Sequence, residues 1–574
     1  MPTIDIEYKE LEQLLHIELN WDMEKLDDIL AYVKAEVKGY NKQDETVNIE
    51  FKDTNRPDLW SAEGLARALK GFVNSQQRGI KQYSIAKSEV EVFVSRDLYD
   101  IRPYIACAVI KEVHLSDAII RGLMHLQEKL DQTCGRGRRK ASIGVYNLDL
   151  IKPPIEYTVV KPHEVEFTPL GFTEDMTLND ILEVHPKGCE YGHIIKYNAL
   201  YPMLFDSEGR ILSLPPIINS NDLGKVTEKS QNLLVEVTGT SHKTVLNMLN
   251  LVVTMLIDRG GKAYTTTIHY PEDSNYGTVQ KQEITPNFDN QHLQLNIEYT
   301  NKILGLELTS NRMVELLQTA GFNIEKTSIT DIEVLIPCYR TDIMHQVDLI
   351  EDIAIAYGYN NIKPNWQELP TVGRAKQDQQ LINHARDLMI GLGFQEILNT
   401  TLTNKETLFN KTNRPLTPHI EIRNPKVITM TCLRNALLPG LLEVLSNNQS
   451  VEFPQKIYEQ GKVIHPDQTS ETKTLEEEHL AAITTHPMAG FSEIKAVLDS
   501  FLSNFDVQWQ IKQASQPTFI EGRTGRIIIN GDQEIGVIGE ISPQVLENWK
   551  LENPAAAFEI NLQRIINNKL ANKK

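Results

Sequence analysis

Arg340-Thr-Asp342-Ile-Met-His-Gln-Val-Asp348-Leu-Ile-Glu351-Asp352-Ile-Ala-Ile-Ala-Tyr357-Gly358 is the stretch that decides how this chain is read. Its pattern predicts a helix from about 346 to 357 that stops at Gly358, since glycine closes a helix without steric cost. Asp348, Glu351 and Asp352 then stand at i, i+3 and i+4 and share one face. Asp342 precedes them on the incoming loop and can fold toward the same place. Four carboxylates brought together repel one another, and the same oxygens suit a hard cation such as Mg²⁺. Acidic residues at a helix start also complement its dipole without any ion. On the residues alone both readings stand.

Working outward, a strand at 331–336 leads into this stretch, and a helix at 310–320 ends at Gly321. With an extended opening these form a small helix-containing domain, 275–365. Two prolines mark 363–372 as a linker. Beyond it, 375–574 reads as a large α+β domain, with helices near 376–391, 434–447, 492–505 and 543–549 and strands near 418–423, 455–464, 478–486, 525–530 and 534–540. Toward the amino terminus, 1–85 mixes short strands and helices. There Asp53-Thr-Asn-Arg-Pro-Asp58 is a turn, and Ser61 opens a helix with Leu65, Ala68, Leu69 and Phe72 at helical spacing. Residues 86–270 alternate turn clusters with strands at 105–109, 141–146, 155–160, 193–196, 211–214 and 233–237, plus helices at 115–131 and 241–258.

A chain of 574 residues, 41% hydrophobic and 24% charged, is globular and long enough for several domains. No run approaches a membrane span, and the first residues lack a secretory pattern. Cys107, Cys134, Cys189, Cys338 and Cys432 are scattered and form no CxxC, which argues against a disulfide framework or structural zinc and places the chain in reducing cytoplasm. The net charge of −19 means that any contact with RNA is made through local basic patches or a partner. Cys134-Gly-Arg136-Gly-Arg138-Arg139-Lys140 is such a patch, or equally a solvated loop.

Several blocks, in order, resemble phenylalanyl-tRNA synthetase beta subunits of the archaeal/eukaryotic type. They are Asn55-Arg-Pro-Asp58-Leu-Trp60, Arg102-Pro103, Ala141-Ser-Ile-Gly-Val-Tyr146, Ile211-Leu-Ser213-Leu-Pro-Pro216-Ile-Ile-Asn219, Arg340-Thr-Asp342, Leu433-Arg434-Asn, Glu459-Gln-Gly461 and Gly536-Val-Ile-Gly539-Glu540. The resemblance spans about residues 1–565. It implies a multidomain α+β fold. An amino-terminal α+β domain is followed by a separate α+β editing domain, a small domain whose Asp342, Asp348, Glu351 and Asp352 hold Mg²⁺, and a carboxy-terminal antiparallel-sheet domain of class II synthetase type. That last domain lacks the late Gly-rich junction ending in Arg, so it packs rather than aminoacylates, and Arg434 is expected to be a structural or interface arginine.

The implied role is the beta subunit of phenylalanine–tRNA ligase, in an α2β2 heterotetramer whose alpha subunit binds ATP and phenylalanine, with tRNA(Phe) as partner. The editing domain is expected to hydrolyse mischarged Tyr-tRNA(Phe) in a pocket of Leu204, Ser213, Asn219 and Glu236, the last standing where the family commonly has Asp. No Ser–His–Asp arrangement is visible, so a positioned water with backbone donors is the expected nucleophile. The rival reading is a stand-alone RNA-binding scaffold with a degraded pocket.

Overall fold

A computed structural model describes residues 2–41, 43, 45–271, 280–366 and 371–571. It divides into two compact units, Met1–Asn365 and Trp366–Lys574. Residues 272–279, beside the start of the expected domain 275–365, lie partly within it and outside the described residues, as do 367–370 of the expected linker.

The first unit opens with β1 (Thr3–Glu7), β2 (Ala35–Asn41) and β3 (Thr46–Phe51), ordered β1-β3-β2. Val47, Ile49 and Phe51 alternate inward along β3, as a half-buried strand requires. The helix Ala62–Val73 begins where the sequence places it, with Ser61 Oγ accepting from Gly64 N at 3.1 Å. Next come β4 (Ile85–Val94), β5 (Tyr104–Lys111), β6 (Ala141–Asn147), β7 (Ile155–Val160), a small β8 (Glu166–Phe167) and β9 (Met176–Thr177) ladder, β10 (Tyr201–Phe205), β11 (Ile211–Leu214), β12 (Ile218–Asn219), β13 (Leu233–Gly239), β14 (Lys262–His269) and β15 (Gln282–Thr285). Apart from β8 and β9 they form one sheet, ordered β12-β11-β10-β7-β4-β14-β5-β13-β6 with β15 on β14.

All of β13 is buried, because it runs between β5 and β6 and is covered by the helix His242–Asp258. That helix turns Val245, Met248, Leu249, Val252, Val253 and Leu256 into the core. Arg102, 1% exposed, is buried beside β13 and β6. Its guanidinium donates to Thr238 Oγ1 (3.0 Å), Thr238 O (2.6 Å), Ser142 Oγ (2.9 Å) and Arg138 O (3.0 Å). The unit closes with β16 (Gln291–Asn296), β17 (Asn323–Thr327) and β18 (Asp331–Ile336), ordered β16-β18-β17, and the helices Ile297–Leu304, Ser310–Thr319 and Gln346–Tyr357. Leu316, Phe322, Val334, Leu349 and Ile353 share their core.

The second unit contains β19 (Gln395–Glu396), a short β20 (Leu402–Thr403) and β21 (Cys432–Leu433) ladder, β22 (Gln455–Pro466), β23 (Thr474–Thr485), β24 (Trp509–Gln513), β25 (Phe519–Ile529), β26 (Gln533–Ile541) and β27 (Ala555–Asn561). Its main sheet runs β19-β22-β23-β27-β26-β25-β24, antiparallel except for β19 along β22. Alternation sorts its faces. Tyr458, Leu480, Ala482, Phe558 and Ile560 pack with side chains of the helices Gln377–Gly391, Phe491–Asn504 and Leu562–Ala571. Ile457, Val463, Ala481, Ile483 and Ala557 pack with the helix Leu438–Asn447.

Two expected strands are absent. Residues 193–196 continue a helix, Pro186–Tyr191, into the tight turn Gly192–Ile194. The adjacent isoleucines read as strand, but the His185 cap and Pro186 at the first helical position commit the chain to helix first. Residues 418–423 make only an isolated bridge, Glu421 to Cys432, because Pro418 and Pro425 confine the pairing.

Replacing Arg102 with Ala leaves two carbonyls and two hydroxyls without their donor inside the sheet. The expected loss is about 3 kcal/mol in the unfolding transition of the first unit, read by calorimetry.

Candidate functional site

A cavity of about 250 Å³ opens against β6, β11 and β13. Ser213 on β11, Asn219 on β12 and Glu236 on β13 line it, with Tyr146 and Gly144 of β6. Leu204 pairs with Ser213 across the β10–β11 ladder but lies off the cavity wall, in the core cluster that includes Tyr146 and Tyr157. Gly144 leaves the floor open. A Cβ there would stand 2.4 Å from the Tyr146 hydroxyl and 2.5 Å from Glu236 Oε2. Asn219 donates through Nδ2 to Val145 O at 3.3 Å. Apolar walls come from Leu123, Met124, Val145, Leu214 and Ile218.

The polar floor is a three-member network. The Tyr146 hydroxyl lies 2.8 Å from Ser213 Oγ and 2.9 Å from Glu236 Oε2. Having one proton, it donates to the carboxylate and accepts from the serine. Glu236 Oε1 is buried without a partner, a free acceptor beside the cavity. Burial raises the Glu236 carboxyl from the ordinary 4.5 to about 7, against the opposing pull of Tyr146, Arg102 and Thr238. Burial, then the Glu236 charge, pushes the Tyr146 phenol well above its usual value. The cavity therefore offers an apolar slot ending in a hydroxyl pair and a carboxyl that titrates near neutrality. No histidine is among the lining residues.

The basic loop divides. Arg138 turns inward, with Nε 3.0 Å from Asp131 Oδ2, and donates to Pro216 O (3.0 Å) and Ile217 O (2.9 Å), so it is a wall of the cavity and not a phosphate contact. Arg136 and Arg139 remain exposed. Lys187 and Lys225 add positive charge to the cavity lining.

The acidic stretch forms a second place. Asp342, Asp348, Glu351 and Asp352 line a cleft of about 30 Å³ with Asp53, Lys34, Arg56 and Arg340. Arg340 holds Asp342 (2.9 and 2.8 Å) and Asp352 (2.7 Å). Burial alone would raise the Asp342 carboxyl, but Arg340 and Arg56 hold it below its usual value. Asp348 caps its helix, Oδ2 accepting from Met344 N and His345 N at 2.8 Å each, so the dipole reading is realised there. Lys34 bridges Glu351 and Asp53. No three of the four expected ligands bring oxygens within 4.8 Å of one another. The cleft still carries five carboxylates against three cations, an excess of two negative charges on hard oxygen donors.

Tyr146 and Gly144, quoted only within a resembling block, Asp53, read as part of a turn, and Lys34 were not expected at either site. A tyrosine in a strand that is buried on both faces was the available signal, since a buried phenol needs a partner. Arg434 is structural, as expected. It is 8% exposed, Nη1 lies 2.5 Å from Glu459 Oε1, and Nε donates to Lys462 O at 2.9 Å.

Comparison with known proteins adds a second line. The family model of the tRNA synthetase B5 domain matches residues 293–359. That of the phenylalanyl tRNA synthetase beta chain CLM domain matches residues 362–562. The chain is 39% identical over 579 residues to the phenylalanine–tRNA ligase beta subunit of Thermococcus kodakarensis, covering 98% of each. It is 40% identical over 565 residues to that of Pyrococcus furiosus, covering 98% of this chain and 99% of the relative. A crystal structure of an N-terminal fragment of the phenylalanyl-tRNA synthetase beta-subunit from Pyrococcus horikoshii matches at 39% identity with a TM-score of 0.59, covering 62% of this chain and 100% of the fragment.

An acid whose value folding raises favours the folded state only while protonated. That preference is whole below 4.5 and is lost as pH climbs through about 7. Glu236→Gln is therefore expected to gain stability relative to the unmodified chain across that window, by on the order of 3 kcal/mol, read from denaturant midpoints at several pH values.

Proposed function

This chain belongs to the phenylalanyl-tRNA synthetase beta-subunit family, and from that premise we propose that it partners an ATP-using alpha subunit in an α2β2 ligase and removes tyrosine from mischarged tRNA(Phe). The alpha subunit joins phenylalanine to tRNA(Phe) at the expense of ATP. This chain contributes interface, tRNA docking and proofreading, in the cytoplasm. Residues 1–85 form the amino-terminal domain, 86–270 the editing domain, 275–365 the small acidic domain and 375–574 a class II-type domain without aminoacylating machinery. Supporting that last reading, Arg434, the arginine available as a phosphate ligand, is engaged by Glu459. Among the described residues no helix is long and apolar enough to cross a membrane.

The observation that carries the editing reading is the Tyr146–Ser213–Glu236 floor of the cavity. Phenylalanine and tyrosine differ by one hydroxyl, which an apolar pocket rejects only about a hundredfold. A second site that welcomes the hydroxyl supplies the rest. The ring lies in the apolar slot, and its phenol donates to the free Oε1 of Glu236 or meets the Ser213 hydroxyl. Phenylalanine there would leave Oε1 of Glu236 unpaired, at a cost of about 1–3 kcal/mol. With no histidine on the wall, a water held among the polar groups attacks the ester carbonyl, and backbone donors stabilise the developing oxyanion. Lys187 and Lys225 offset the acidic chain where the terminal phosphates approach. The test is release of tyrosine from Tyr-tRNA(Phe). The Ser213→Ala, Glu236→Ala double variant is expected to be at least tenfold slower, and equal rates would remove these residues from the site.

The acidic cleft fits Mg²⁺ in donor type and in its excess of two negative charges. Asp342, Asp348, Glu351 and Asp352 would hold it, with the half-exposed Glu351 and the uncapped oxygen of Asp348 the readiest donors. Bound there, the ion supplies charge neutralisation between this domain and its surroundings. A tag on this chain is expected to bring down the alpha subunit. Chelation of that complex should lower its melting temperature, Mg²⁺ should restore it, and Asp348→Asn should abolish the response. Recovery of the tagged chain alone would favour the scaffold reading.

A further inference from the structure

The second unit carries a constellation that the ligase reading does not use. His465 lies on β22, and Glu477 and His479 lie on β23. The register pairs Val463 with Glu477, His465 with Leu475, and Gly461 with His479. Side chains two apart in a strand share a face, and directly paired residues share it too. His465, Glu477 and His479 therefore project from one face, joined from β27 by Asn561, opposite His479, and by Glu559, opposite Ala481. One imidazole nitrogen from each histidine and one Glu477 oxygen lie within 4.8 Å of one another.

The groups behind them are arranged as metal ligands are. His479 Nδ1 lies 2.9 Å from Glu559 Oε1. Both Glu559 oxygens already accept from backbone amides, so toward the ring it is an acceptor, and in the neutral imidazole Nδ1 carries the proton and Nε2 keeps its lone pair. That Nε2 is buried and has no hydrogen-bond partner. Glu559 is itself fixed by Leu437 N and Leu438 N at 3.0 Å each. The carboxylate–histidine pair thus sets tautomer and ring orientation and leaves the second nitrogen free, as behind bound metals. Glu477 is oriented in turn, with Asn561 Nδ2 donating to Oε1 at 2.7 Å and Oε2 left over. The His465 ring makes no hydrogen bond among the described residues and lies tilted against the His479 ring, centroids 6.3 Å apart.

The geometry points to a zinc site of His465, Glu477 and His479, with Glu559 as the positioning carboxylate. Two imidazoles and one carboxylate suit Zn²⁺ and leave a fourth position for water. Tetrahedral bonds of about 2.0–2.1 Å require the three donors to draw together by roughly an ångström, which side-chain rotation at half-exposed positions supplies. The place has a mechanical meaning. β27 ends at Asn561 opposite His479, so beyond that pair β22 and β23 run on as an isolated two-stranded ribbon to Pro466 and Thr474. An ion joining His465 to His479 ties that ribbon to the body of the sheet.

The test uses the alpha–beta complex, stripped by chelation and titrated with Zn²⁺ in millimolar Mg²⁺, which occupies hard-oxygen sites. One zinc per beta chain is expected, and Co²⁺ in its place should give the visible absorption of a four-coordinate histidine site. His465→Ala and His479→Ala should each weaken zinc binding at least a hundredfold, and Glu559→Gln about ten- to a hundredfold. His465→Ala is decisive, because that ring bonds nothing whose loss would unfold the sheet. Zinc affinity unchanged in His465→Ala, or no zinc bound above the Mg²⁺ background, overturns the assignment.

Discussion

An ionised carboxyl cannot be buried alone. Its desolvation must be met by donors, or it must keep its proton. Glu236 is caught between the two. It sits on a strand paired on both sides, with a phenol on one oxygen and nothing on the other. The surrounding sheet does the opposite with Arg102, whose guanidinium donates to four neutral oxygens. The fold spends its buried donors on backbone and hydroxyls near the same strand and leaves the carboxyl half satisfied. That residual demand leaves one unmet acceptor at the floor of the cavity.

Charge placement elsewhere follows the same rule with other outcomes. Arg340 satisfies two aspartates at once, so Asp342 and Asp352 are fixed before any ion arrives. Arg434 and Glu459 answer each other inside the second unit, which explains why an arginine at a suggestive place in the sequence is closed to ligands. Glu559 is met by two backbone amides and a histidine. In each case the partners of a charge, and not its identity, decide whether it can act.

Much of this was legible beforehand where local physics decides. The helix Gln346–Tyr357, the strands Ile155–Val160, Ile211–Leu214 and Asp331–Ile336, and the Ser61 cap follow from periodicity and capping residues. The third of each site that was missed depends on long-range pairing. Tyr146 meets Ser213 across 67 positions and Glu236 across 90, and Lys34 meets Glu351 across 317. No spacing rule reaches so far. Leu204 shows the converse: its ladder partner Ser213 lines the cavity, yet its own side chain joins the core.

Gly144 is a point where a single hydrogen keeps the chamber open. One added methyl would reach both the Tyr146 hydroxyl and the Glu236 carboxylate at once. In evolutionary terms, a lineage can lose this chamber by a single small substitution in a strand, without touching any charged or hydroxyl-bearing residue. A search for descendants whose chamber has closed should therefore look first at what replaces a hydrogen, and only afterwards at the polar groups themselves.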